Sequence, residues 1–98
     1  MPYQLVIQRT GEDFDWLEKT EEALIDLLEP HHEVDGHDIG QNKMNIFILT
    51  EDPHGAFVKS KGLFSGKELY QIRMAYRATD SEEYFVIWPL DSAGDFKI

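Results

Sequence analysis

Residues 33–50 read EVDGHDIGQNKMNIFILT, two alternating runs, EVDGHDI and MNIFILT, bracketing GQNK. Two such runs joined by a short polar loop are the pattern of a β-hairpin. The second run puts Met44, Ile46 and Ile48 on one face and Phe47 and Leu49 on the other. A strand apolar on both faces belongs inside a sheet, so more strands must flank this hairpin. In the first run Val34 and Ile39 are five residues apart and face opposite ways in a regular strand. A bulge between Asp35 and Gly40 is therefore expected to bring both to the core, the glycines serving the backbone.

Strands and helices of matching pattern lie on both sides. YQLVIQ, residues 3–8, alternates with Tyr3, Leu5 and Ile7 opposite Gln4, Val6 and Gln8. Asp13 is a helix cap for the run that follows, where Leu17, Thr20, Leu24, Leu27 and Leu28 form one stripe and Pro30 ends the helix. Asp52 and Pro53 open a second helix with Ala56, Phe57 and Ser60 on its inner face, ended by Gly62 or Gly66. LYQIRMAYRA, residues 69–78, alternates Tyr70, Ile72, Met74 and Tyr76 against Gln71, Arg73, Ala75 and Arg77. After a turn at DSEE, YFVIWPL is a last strand. The order β-α-β-β-α-β-β describes a single α+β domain, residues 1–98. Right-handed crossovers then favour a ferredoxin-like antiparallel sheet with two helices on one face and the last strand beside the fourth.

This element order resembles that of small stand-alone bacterial proteins of ferredoxin-like type. The DGHDIG and NIFILT segments look like those of uncharacterised families in that group. Size and acidity are similar to those of immunity proteins that neutralise toxins. The resemblance implies a fold and a class of partner, and it carries over no catalytic residue.

The net charge of −10 opposes nucleic acid as a ligand, because phosphate binding draws on clustered Lys and Arg. The charge is uneven: residues 12–38 hold eleven of the nineteen carboxylates against Lys19 alone, while residues 43–77 hold six of the nine basic residues against three acids. No run approaches the roughly 18 apolar residues of a membrane span, and MPYQLVIQRT is no secretion signal, so a cytoplasmic protein without a membrane partner is expected. The chain has no Cys, which removes disulfides, thiolate metal sites and cysteine nucleophiles.

PHHEVDGHDIG, residues 30–40, gathers three of the four histidines among Glu33, Asp35 and Asp38. Read from Asp35, a calcium-loop pattern matches only its glycine, and the H-E-x-x-H zinc pattern fails because the histidine after Glu33 comes one residue late. One weak metal geometry survives: in a regular strand His31, Glu33, Asp35 and His37 share a side. The favoured expectation is a solvated hairpin face and no metal.

Two surfaces are candidates for partners. On the first helix Asp15, Glu18, Glu22, Asp26 and Glu29 fall within about 80° of arc, opposite the leucines, a surface for a basic protein. On the sheet, a register placing Ala78 opposite Tyr84 sets Met74 against Trp88 and Tyr76 against Val86. Tyr84, Val86 and Trp88 would then be buried, leaving Arg73, Ala75, Arg77, Phe85 and Ile87 on the open face with Val6 and Phe47. That face is either covered by LDSAGDFKI, residues 90–98, or a homodimer contact, with Arg73 and Arg77 orienting an anionic substrate beside Phe85 in an enzymatic variant. No serine lies in a nucleophile elbow and no glycine-rich phosphate loop follows a strand, so no catalytic residue and no cofactor is assigned. Tyr70, Met74, Tyr76 and Trp88 read as core.

Overall fold

The computed structural model describes residues 1–89 and 96–98. Five strands, β1 (Tyr3–Thr10), β2 (Glu33–Gly40), β3 (Lys43–Thr50), β4 (Ile72–Ala78) and β5 (Phe85–Trp88), form one sheet in the order β2-β3-β1-β4-β5. Every neighbouring pair is antiparallel. β3 is an interior strand, paired on both sides as its two apolar faces demand, β1 is the central one, and β2 and β5 are the edges. The helices are α1 (Phe14–Leu28), α2 (Pro53–Lys61) and a single turn, α3 (Gly66–Leu69). The protein is thus an α+β domain with a five-stranded antiparallel sheet and three helices, one more than the pattern of apolar residues shows.

Local chemistry fixes the boundaries. Asp13 caps α1 by accepting the Trp16 backbone N–H at 3.1 Å, and the Glu29 N–H closes it on the Ile25 carbonyl. Asp52 caps α2 through the Gly55 N–H, with Pro53 in the first turn, where its missing donor is not needed. Ser65 and Glu68 form a capping box on α3. The β2–β3 connection is two residues, Gln41 and Asn42, both with positive φ, the turn whose twist matches that of paired strands.

Leu17, Leu24 and Leu28 of α1 and Ala56 of α2 pack on Leu5, Ile7, Met44, Ile46, Ile48, Ile72 and Met74 of the sheet. Leu27 departs from its expected place in the stripe: it lies on the α1 flank and is 42% exposed. Tyr70 departs further. It follows α3, two residues before β4 begins, and is 94% exposed.

The expected bulge is present at the start of the proposed interval. Val34 pairs with Ile48 and Gly36 with Phe47, so Asp35 is the extra residue. Gly36, at φ +120°, takes the backbone angle that permits it. Val34 and Ile39 both reach the core as a result. A second bulge lies in β5, where the regular register set out above does not hold. Met74 pairs with Trp88 as expected, but Ala75 pairs with Val86 and Tyr76 with Phe85, leaving Ile87 extra. Everything on the Tyr84 side of that bulge changes face. Phe85 lies against Tyr76 on the helix side and Ile87 joins the main core, whereas Tyr84 and Val86 pack with Val6 and Ala75 on the other.

Candidate functional site

The acidic face of α1 is the most unusual surface. Asp15, Glu18, Glu22, Asp26 and Glu29 are all exposed. Among the described residues the only ion pair is His37 with Glu21, at 3.0 Å, so none of the five meets a cationic side chain. Glu29 alone has a use within the fold, accepting the Val34 N–H at 3.2 Å. The last turn of α1 has no basic residue. Asp26 and Glu29 there oppose the helix dipole, and the stripe adds like-charge repulsion along its length.

Two exposed apolar side chains border this face. Phe14 is 54% and Ile25 40% exposed. At about 100° per residue both lie within roughly 40° of Glu18, so Phe14, Glu18, Ile25 and Glu29 follow one row along the helix. Phe14 is steadied by an edge contact with the His37 ring, which also meets both Glu21 oxygens. Phe14 and Ile25 fall between the leucine and the carboxylate stripes and belong to neither pattern, although the same helical angles place them.

The histidine stretch does not form the shared face on which metal binding depended. Glu33 pairs with Leu49 on the face away from the helices, whereas His37 pairs with Ile46 on the helix side, because the Asp35 bulge reverses the alternation between them. His31 lies before β2 and is exposed. Among the described residues no group of three or more His, Asp or Glu is placed to hold a metal ion. His32 is buried instead, its Nδ1 2.7 Å from the Thr50 hydroxyl.

Of the five residues expected on the open sheet face, Arg73, Ala75 and Arg77 are there, on the same side as Val6. Phe85 and Ile87 are not, for the reason of register given above. An anionic substrate held between the arginines and Phe85 is therefore excluded by the sheet itself. Arg77 also has structural work: its Nε donates to Gln4 at 3.0 Å and its Nη1 to the carbonyls of Ala78, Thr79 and Ser81, clamping the β4–β5 turn.

Phe96 covers part of this face. It is 8% exposed among Val6, Ala75, Tyr84 and Val86, with the Arg73 guanidinium 5.3 Å from its ring centre. The Lys97 carbonyl accepts from Gln8 Nε2 at 2.6 Å, and Gln8 also donates to the buried Asn45. The expected covering segment is seen in its last three residues, while residues 90–95 lie outside the described part. Beside Phe96 and Lys97 is a cleft of about 760 Å³ walled by Arg77, Asp80 and Tyr84.

Among the described residues, two titratable groups have a shifted pKa, His32 and Glu68. Burial, followed by the charge of Lys59, lowers the His32 pKa. Hydrogen bonds from the Ser65 backbone and then the Trp16 indole lower that of Glu68. Both causes are structural, and neither group faces the large cleft.

Comparison with protein-family models, with curated proteins and with solved structures finds no match to this chain. No helix of the described residues is long and apolar enough to cross a membrane.

Proposed function

We propose that this chain is a cytoplasmic, non-enzymatic protein-binding domain, of immunity or adaptor type, whose acidic α1 face docks a basic protein. The observation that carries this is the exposure of five carboxylates without a cationic partner among the described residues, beside Phe14 and Ile25. The fold gains little from such an arrangement, whereas a basic partner gains steering at long range and apolar anchorage on contact. Asp15, Glu18, Glu22, Asp26 and Glu29 supply the field, and Phe14 and Ile25 the desolvated contacts.

The strand order supports a ferredoxin-like assignment. β1 and β2 run parallel with β3 between them, β3 and β4 run parallel with β1 between them, and β5 extends the sheet beyond β4. These are two interlocked split βαβ units.

The test is reversal of Glu18, Glu22 and Asp26 to Lys. A bound basic protein should be lost in pull-down while circular dichroism stays native; undiminished binding would refute the proposal.

A further inference from the structure

Between α1 and the α2–α3 connection lies a cleft of about 230 Å³. Its apolar walls are Trp16 and Ala23 of α1 and Leu63 and Phe64 of the connection. The Trp16 and Phe64 rings stack, with centres 6.3 Å apart and planes 25° from parallel, and Leu63 keeps 36% of its surface exposed. At 100° per residue Trp16 and Ala23 lie on the flank of α1 opposite Phe14 and Ile25, so this cleft is separate from the row along the acidic face.

Two polar groups of the cleft are without partners among the described residues. Thr20 is only 8% exposed, yet its hydroxyl makes no hydrogen bond. A buried helical hydroxyl can turn back to the carbonyl four residues before it, as Ser60 of α2 does to Ala56 at 2.7 Å. The Thr20 oxygen does not, and it is not sealed from solvent, so it opens on the cleft that Thr20 lines. Lys19 lines the same cleft. Asp15 and Glu22 stand one turn to either side of it, at spacings that pair on a helix, but the sole ion pair is that of His37 with Glu21. The Lys19 ammonium is an unpaired cation at the rim.

The carboxylate of the cleft, Glu68, is already committed. Its Oε1 accepts the Ser65 N–H and its Oε2 the Trp16 indole, both at 3.0 Å. The Arg9 guanidinium, 4.6 Å over the Trp16 ring, offsets its charge.

An ammonium and a hydroxyl both donate, so together they select an anionic oxygen, while the walls select an apolar body. A cavity of about 150 Å³ holds benzene, so this cleft has room for a ring bearing a carboxylate. Asp15, Glu22 and Glu68 nearby disfavour a second negative charge. We propose that the cleft binds a small aromatic monocarboxylate, its carboxylate on Lys19 and Thr20 and its ring against Ala23, Leu63 and the Trp16–Phe64 pair. This site stands independently of the docking reading of the acidic face.

The experiment is an NMR titration of the full chain with benzoate, following the Trp16 indole and the backbone amides. Saturable shifts are expected at Trp16, Lys19, Thr20 and Leu63. Benzamide, a neutral analogue of the same shape, should bind on the order of 10-fold more weakly. Lys19→Gln should weaken benzoate on the order of 10-fold and leave benzamide unchanged. Thr20→Val removes a hydroxyl that has no bond in the free protein, so thermal stability should be undiminished while benzoate weakens roughly 5-fold. Lys19 is exposed and unpaired, so its variant folds even if Thr20→Val does not. Absence of saturable shifts at the cleft residues, equal binding of benzoate and benzamide, or benzoate binding indifferent to Lys19→Gln would each overturn the proposal.

Discussion

His32 Nδ1 lies 2.7 Å from the Thr50 hydroxyl, a buried hydrogen bond joining the α1–β2 connection to the end of β3. The same hydroxyl accepts the Asp52 N–H at 2.9 Å, so one side-chain oxygen ties the imidazole to the start of α2. Thr50→Val removes the partner of both groups and should cost about 1–3 kcal/mol in urea unfolding. Burial first, and Lys59 second, hold the His32 pKa below its ordinary value of 6.5. The unfolded chain therefore takes up this proton at higher pH than the folded one. Stability should fall as pH drops below about 6.5 and level off beneath the folded pKa. His32→Leu should flatten that part of the profile; an unchanged slope would assign it to other groups.

Gly36 tests the bulge. A Cβ added there meets no atom within 4 Å, so Gly36→Ala loses nothing to crowding. Its φ of +120° is one that alanine adopts only with strain, and the variant should be destabilised by about 1–3 kcal/mol. Native-like stability on thermal unfolding would mean that the bulge relaxes at little cost.

Trp16 Nε1 donates to Glu68 at 3.0 Å, tying α1 to the capping box of α3. Ser65→Ala, which opens the box, should cost about 1 kcal/mol. The hydrogen bonds to Glu68 lower its pKa from 4.5, so their contribution is present above that pH and is lost as pH falls through the folded value. Glu68→Gln should remove this acid-side loss, measured by denaturation across that range.

The stripe on α1 allows stability and the proposed docking to be measured separately. Asp26 lies at the end of the helix where the dipole disfavours a carboxylate, and no basic side chain offsets it there. Asp26→Lys should raise stability by about 0.3–1 kcal/mol at low salt while weakening attachment of a basic partner. Equal stability would show that the carboxylate is not opposed by the helix.

Much of this architecture was legible because periodicity and caps act locally. The two faces of β3, the Asp13 and Asp52 caps and the bulge that rescues Val34 and Ile39 all follow from spacing. The face of Phe85 and Ile87 did not, because the Ile87 bulge arises from pairing with β4 and has no glycine to announce it. Tyr70 continues the alternation of β4 in sequence, yet the capping box of α3 claims the preceding residues. The carboxylate face was readable from helical angles alone. Cover of the sheet by residues 90–98 is one of two alternatives that the sequence leaves open, and composition does not single out Phe96 as the residue that packs on Val6 and Ala75.

The most direct measurement is quantitative capture from source-cell lysate by tagged wild type and by the Glu18→Lys, Glu22→Lys, Asp26→Lys variant, across a salt series, with the thermal stability of both baits recorded. A stoichiometric basic protein is expected on the wild type at low salt, absent from the variant, which folds at least as stably, and released as salt rises. The same partner on both baits, at the same stoichiometry and with the same salt dependence, would contradict it.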